Sequence, residues 1–148
     1  MALFEAKKLV IRTRVLDATE GGAIQEISFI GIHDHHWPVG RKIHDFIKED
    51  FLNSKALACL FDFTGYEYGF GNEIGGPIMA VILARGAPPL PPIAIVAQGH
   101  TARSMKGLFA FSNLEKIIEY EFFEDSESGC AFLRRVLDAR KKPASSEG

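Results

Sequence analysis

The stretch that decides the fold is residues 56–84, ALACLFDFTGYEYGFGNEIGGPIMAVILA. Its first part, Ala56–Phe63, is apolar at nearly every position, which is typical of a strand covered on both faces. A Gly-rich turn follows over residues 65–76. An apolar segment then begins at Pro77, and proline fits the first helical position because its missing N–H costs nothing there. The stretch therefore predicts a central strand, a turn and a helix.

Strand and helix patterns alternate on both sides of this stretch. A hairpin is predicted before it, because Lys8–Leu16 and Ala23–Ile32 have the patterns of strands and a Gly-Gly turn lies between them. This order of elements implies a mixed sheet with parallel pairs and right-handed crossovers. The remaining predicted elements are helices at 39–52, 77–85 and 101–111, strands at 93–97 and 117–122, and a last helix starting at Ser126 or Ser128.

The length and composition fit one domain of the α/β class. The chain has 148 residues, of which 47% are hydrophobic, so it can bury a core without a metal or a disulfide. We predict a single domain over residues 1–140, with a mixed β-sheet of four to five strands and α-helices packed mainly on one face. The small, polar residues 141–148 predict a disordered C-terminal tail.

Charge and hydropathy argue against several classes of function. The net charge of -2 gives no long-range attraction for nucleic acid or anionic lipid. Residues 1–8 lack the apolar core of a signal peptide, and the most apolar segment, Ile74–Ala84, is too short to span a bilayer. Cys59 and Cys130 form neither a disulfide framework nor a zinc pattern. We therefore expect a soluble cytoplasmic protein with no nucleic-acid partner, no membrane insertion and no cofactor.

Three segments resemble parts of a known family. Phe29–Asp34 (FIGIHD) and Leu60–Gly65 (LFDFTG) are similar to the strand ends Gly-x-Leu-Asp and Leu-Asp-Leu-Ser-Gly of the STAS domain, which occurs in anti-sigma factor antagonists and sulfate transporter tails. Ala102–Phe109, with the turn at 112–114, is similar to the last part of that domain. The order and lengths of the elements agree over residues 8–140, which implies a STAS-like fold.

The resemblance also implies a function and partners. It implies a regulatory protein–protein interaction module that binds an anti-sigma kinase or other STAS subunits, and it is compatible with a homo-oligomer. The bacterial regulators of the family typically carry Asp-Ser-Ser-Gly-Leu-Gly in the turn, and the second Ser is phosphorylated. In this chain Asn72 stands at that place. Asparagine can cap a helix but cannot accept a phosphate, so we predict a module that is not phosphorylatable there.

The predicted binding surface is the turn that follows the central strand. Loops at the carboxyl ends of strands are favoured binding sites in open α/β sheets, and aromatic side chains supply contact area at a low entropic cost. The alternative is that the aromatic side chains fold back onto the core and the glycines only serve the backbone turns. The predicted binding residues are Tyr66, Glu67, Tyr68, Phe70, Asn72 and Glu73.

Two other functions remain as alternatives. A small molecule or a lipid could bind at the carboxyl edge of the sheet. A metal-dependent enzyme could use His33, Asp34, His35 and His36, because imidazoles and carboxylates are metal ligands. Adjacent loop residues rarely point at one centre, however, and the sequence has no nucleophile with an adjacent base. We therefore predict no metal site, no catalytic residues and no enzymatic activity.

Overall fold

The chain forms one mixed β-sheet with α-helices on both of its faces. The computed structural model describes residues 2–6, 8–19, 22–32, 37–67, 75–86, 89–113 and 116–141. The elements within these ranges are β1 (Ala2–Ala6), β2 (Leu9–Thr19), β3 (Gly22–Ile32), α1 (Trp37–Ser54), β4 (Ala58–Glu67), α2 (Gly75–Ala84), β5 (Ile93–Val96), α3 (Gly99–Ser112), β6 (Tyr120–Phe123) and α4 (Ser126–Lys141).

The order of strands in the sheet is the order of strands in the chain, β1 to β6. The first three strands pair antiparallel, which confirms the predicted hairpin of β2 and β3. From β3 to β6 each strand is parallel to its neighbour, because a helix connects each pair. The mixed sheet and the α/β class are therefore confirmed.

The strand count is six over the described ranges, not four to five. The strand that the sequence analysis missed is β1, which pairs with the first part of β2. It has only five residues, and Lys7 and Lys8 separate it from β2 without a Gly or Pro turn signal. A short edge strand of this kind has half-buried and exposed residues only, so its hydrophobic pattern is weak.

Three helices cover one face of the sheet, and α4 covers part of the other. The larger core cluster joins α1, α2 and α3 to the sheet through residues such as Ile47, Ile78 and Phe109. The smaller cluster joins α4 to β4 and β5, through Leu133 among others. The prediction that the helices pack mainly on one face is thus confirmed. No helix among the described residues is long and apolar enough to cross a membrane.

The central strand is β4, and helices cover both of its faces. Cys59, Phe61 and Phe63 point into the core beneath α1, α2 and α3. Ala58 and Leu60 alternate with them in sequence and belong to the core beneath α4. All five are fully or almost fully buried, which explains why this part of the sequence has no polar alternation.

One extra residue interrupts the pairing of β4 with β3. Ser28 is opposite Asp62, whereas Ile30 is opposite Gly65, so β4 contains a β-bulge between these two pairs. Asp62 stabilises the bulge, because its Oδ1 accepts hydrogen bonds from the backbone N–H of Thr64 at 2.9 Å and from the Thr64 hydroxyl at 2.7 Å. Pairing then continues to Glu67, so β4 is longer than the predicted strand.

The glycine of the FIGIHD segment has a structural role. Gly31 has a φ of 103°, a conformation that side chains with a Cβ rarely adopt. A Cβ at this position would collide with the carbonyl oxygen of Lys8. That oxygen accepts a hydrogen bond of 3.1 Å from the N–H of Ile32, so the close approach extends the hairpin to its last residues.

The last helix begins where the sequence predicts, at Ser126, but its cap is the preceding aspartate. Asp125 Oδ1 accepts a hydrogen bond of 2.7 Å from the backbone N–H of Ser128, and Oδ2 accepts one of 3.1 Å from the Ser128 hydroxyl. These bonds lower the pKa of Asp125. The helix extends through Lys141, the first residue of the predicted tail, and residues 142–148 lie outside the described residues.

The contact of α4 with the sheet depends on the absence of a side chain at Gly129. A Cβ there would lie 3.0 Å from Leu60 Cδ1 and 3.4 Å from Ala94 Cβ. The backbone of α4 therefore lies directly on β4 and β5. Gly107 of α3 is a matched contrast, because apart from its chain neighbours and the backbone of its own helix no described atom lies within 4 Å of the corresponding position.

We predict opposite effects of adding a side chain at these two glycines. Gly129→Val should lower the free energy of unfolding by about 1–3 kcal/mol, because the added atoms overlap the side chains of β4 and β5. Gly107→Ala should raise it by about 0.5–1 kcal/mol, because alanine loses less backbone entropy in a helix. Urea unfolding followed by circular dichroism measures both. Equal stability of Gly129→Val and wild type would contradict the close packing of α4.

Candidate functional site

The predicted binding surface begins at the end of β4. The structure places Tyr66 and Glu67 in this strand, not in a turn, so the predicted start of the turn at residue 65 is wrong. The physical reason is the β-bulge, which allows pairing with β3 to continue as far as the pair Ile32–Glu67. Glu67 is exposed at the carboxyl end of the strand.

Tyr66 belongs to the hydrophobic core. Its exposed fraction is 5%, and its ring centroid lies 5.8 Å from that of Phe29 and 5.6 Å from that of Phe63. By strict alternation Tyr66 would face away from Phe63, but the extra residue of the bulge brings both onto one face. The alternative of an aromatic side chain folded back onto the core therefore holds for Tyr66, which is not available as a contact residue.

The rest of the predicted surface lies outside the described residues. Tyr68, Phe70, Asn72 and Glu73 all fall in residues 68–74, between the end of β4 and the start of α2. Helix α2 begins at Gly75, and Pro77 is buried in its first turn, close to the predicted helix start. These four residues remain predicted binding residues.

The predicted metal ligands also lie outside the described residues, because His33–His36 are among those that the structure leaves out. Two other histidines are described: His44 on α1 and His100 on α3. Within the described ranges no group of three or more His, Cys, Asp or Glu side chains could hold a metal ion. The metal hypothesis thus gains no support from the part of the chain that is described.

The thiol of Cys59 is not placed for nucleophilic chemistry. Cys59 is completely buried in β4, and desolvation raises the pKa of its thiol well above the ordinary value. A thiol in that state is inert as a nucleophile, because the thiolate is the reactive form. Cys130 is half-buried on α4 against the smaller core cluster.

Large apolar side chains are exposed near the end of α3, a feature that the sequence analysis did not single out. Phe111 is 87% exposed, Leu108 is 41% exposed, and Ile117, which follows the helix, is 56% exposed. Residues of α3 that point inward, such as Met105 and Phe109, are buried. The helical pattern alone could have identified Phe111, which lies two positions from Phe109 and therefore on a different side of the helix.

We predict that truncation of a buried aromatic side chain and truncation of an exposed one will have different effects on the free energy of unfolding. Tyr66→Ala should lower the free energy of unfolding by about 3–5 kcal/mol, because it leaves a cavity beside Phe29 and Phe63. Phe111→Ala should change it by about 0.5 kcal/mol or less, because the ring is exposed. Chemical denaturation of both variants checks this. A Tyr66→Ala protein as stable as wild type would contradict the burial of the ring.

A polar cleft lies on the α4 face of the sheet, beside the start of α4. Its volume is about 280 Å³. The residues that line the polar cleft come from β2, β3, β4 and α4, and they are Arg12, Thr13, Arg14, Glu26, Ser28, Asp62 and Ser126. In the sequence these residues belong to three predicted strands and to the start of the last helix, and no local pattern brings them together.

An ion pair lies within the polar cleft. Arg14 Nε lies 2.6 Å from Glu26 Oε1, and Glu26 is only 7% exposed. A buried carboxylate needs such a partner, because an unpaired charge is strongly unfavourable in the protein interior. The hydrogen bond to Glu26 and the charge of that residue raise the pKa of the Arg14 guanidinium.

Cross-strand pairing brings the other polar groups of the cleft together. Arg12 is opposite Ser28 in the hairpin, and Ser28 is opposite Asp62 in the parallel pair of β3 and β4. An irregularity between Leu16 and Thr19 shifts the pairing register of the hairpin, so the position of the Gly-Gly turn alone does not predict that Arg14 faces Glu26. The contribution of Asp62 needs the register of the parallel pair, which no local pattern reveals.

Comparison with known proteins identifies the fold. No model of a known protein family matches the sequence, and no curated protein matches it. Among solved structures, an anti-sigma factor antagonist from Mycobacterium paratuberculosis is similar, with a TM-score of 0.55 and 17% identity over 84% of this chain and 94% of that one. An uncharacterised protein with a SpoIIAA-like fold from Shewanella loihica gives a TM-score of 0.54 and 17% identity over 83% of this chain and 93% of that one.

These likenesses define the class of fold. The chain has the SpoIIAA-like fold of an anti-sigma factor antagonist, and the STAS-like fold implied by the sequence resemblance is confirmed. At 17% identity the comparison speaks for the fold alone.

Proposed function

We propose that this chain is a regulatory protein–protein interaction module of the anti-sigma factor antagonist kind, without enzymatic activity, that acts in the cytoplasm. The observation that carries the proposal is the fold, which it has in common with an anti-sigma factor antagonist over most of both chains. The sequence resemblance at Phe29–Asp34 and Leu60–Gly65 supports the same assignment independently. Its partners would be an anti-sigma kinase or other STAS subunits, including a second copy of the chain.

The proposed contact surface is the segment from Glu67 to Glu73 together with the start of α2. Glu67 is exposed at the carboxyl end of β4, the central strand, and only seven residues separate it from the first residue of α2. Tyr68 and Phe70 would supply apolar contact area, and Asn72 and Glu73 would supply polar contacts. Tyr66 would support the surface from below, through its rigid packing against Phe29 and Phe63.

The proposed module lacks the phosphate switch at the family position. Asn72 stands where the family carries the phosphorylated Ser, and an amide cannot accept a phosphate. Binding would therefore be regulated through a change in the partner or in the concentration of the partner. We also propose that the interaction domain comprises residues 1–140 and that residues 141–148 form a flexible tail that binding does not need.

The test is capture of partners from host lysate with three immobilised proteins. Wild type should capture a kinase or a STAS protein, and Tyr68→Ala combined with Phe70→Ala should lose it, with at least a ten-fold drop in recovered partner. The matched control is Leu108→Ala combined with Phe111→Ala, which removes exposed apolar side chains of α3 and should keep the partner. Loss of the partner in this control, but not in the Tyr68→Ala, Phe70→Ala variant, would indicate that the contact surface is on α3.

A second measurement tests the absence of the switch. Wild type incubated with host lysate and ATP should show no phosphate on residues 65–76 by mass spectrometry. Asn72→Ser places a hydroxyl where the family carries one, so phosphorylation of this variant alone would identify a kinase that recognises the surface. Phosphate on Thr64 or elsewhere in the turn of wild type would contradict the proposal of an unswitched module.

A further inference from the structure

We infer that the polar cleft binds a small zwitterion of the amino-acid type, with Arg12 contacting its carboxylate and Asp62 its ammonium group. The polar cleft lies on the α4 face of the sheet, α2 packs on the other face, and none of the residues that line the polar cleft belongs to the proposed contact surface. The inference is therefore independent of the proposed function.

Two of the four charged groups in the polar cleft are already satisfied. Arg14 and Glu26 hold each other through the 2.6 Å contact between Nε and Oε1, and a second contact of 3.5 Å joins Nη2 to Oε2. This pair neutralises itself and offers little binding energy to a ligand. The ion pair instead forms one rigid side of the polar cleft, because the Glu26 side chain is only 9% exposed.

The other two charged groups keep unused hydrogen-bonding atoms, although the charge of Asp62 also acts on Arg14. Arg12 is exposed, and within the described ranges its guanidinium makes no ion pair or hydrogen bond to another side chain. Asp62 is half-buried and uses Oδ1 for the backbone N–H and hydroxyl of Thr64. No hydrogen bond reaches its Oδ2 from the described residues, so this oxygen can accept one from a ligand.

The charge balance selects the class of ligand. Two guanidinium groups and two carboxylates line the polar cleft, so a simple anion meets the repulsion of Asp62 and Glu26, and a simple cation meets that of the two arginines. A ligand with both charges satisfies Arg12 and Asp62 together. The hydroxyl groups of Ser28 and Ser126 both donate and accept, and none of the lining residues is aromatic, which disfavours a sugar or a nucleobase.

The size and spacing of the polar cleft suit a ligand of this class. Its volume of about 280 Å³ is just below the range of about 300–1,000 Å³ for drug-sized ligands, which suits a smaller molecule. Arg12 and Asp62 lie on strands two apart, with Ser28 between them, so their backbones are separated by roughly 10 Å. The Arg12 side chain is long, flexible and exposed, so its guanidinium can approach Asp62 to the few ångströms that separate the two charges of an amino acid.

The experiment is a titration of the full chain by calorimetry and by thermal unfolding. The compounds are L-serine, L-glutamate, L-lysine and glycine betaine, with acetate and ethanolamine as the two halves of a zwitterion. We expect saturable binding and a raised Tm with at least one free amino acid, and none with acetate or ethanolamine alone. Binding of acetate as tight as that of the amino acids would overturn the zwitterion in favour of an anion, and no binding by any amino acid would overturn the site.

Variants locate the binding. Arg12→Gln and Asp62→Asn should each weaken binding at least ten-fold, and Arg135→Gln, which removes an exposed arginine from α4, should leave it unchanged. Asp62→Asn keeps an oxygen that accepts from the Thr64 N–H, and Arg12 is exposed, so both variants should fold with a Tm close to that of wild type. Wild-type affinity in either variant would contradict the inference.

Discussion

The burial of β4 between two layers of helix is the constraint on which the rest of the structure depends. Hydrogen bonds join β4 to β3 and β5, while its alternate side chains enter two separate cores. A strand in this position cannot carry a polar side chain along most of its length, because neither face meets water. Polar side chains are therefore confined to the later part of the strand, where Asp62 is the first charged residue and Thr64 the first residue that is exposed.

The two faces of the sheet differ in how completely the helices cover them. Three helices lie on one face, so nearly all inward side chains of β2, β3 and β4 on that side are apolar. On the other face α4 packs on β4 and β5, and the hairpin extends beyond it. The uncovered part of that face carries Arg12, Arg14 and Glu26, and this is the physical origin of the polar cleft.

Local patterns predicted those features of the fold that depend on local physics. The helical spacing of α1, the burial of the first part of β4 and the pairing of β2 with β3 all left clear signals in the sequence, and each is present in the structure. The short edge strand β1 left none, because its stability comes from pairing with β2 and not from its own hydrophobic pattern. The candidate sites were less predictable: the burial of Tyr66 depends on a bulge, and the polar cleft depends on the register of three strands.

The bulge of β4 also determines which of the side chains that follow it face the core. Phe63 and Tyr66 are three residues apart and face the same core, an odd spacing that only one added residue allows. Removing or adding a single residue between Asp62 and Tyr66 would exchange the faces of the next two side chains, so that the phenol ring would leave the core and the carboxylate of Glu67 would enter it. A change of two residues would preserve both faces. The segment should thus tolerate changes of residue type far better than changes of length by one.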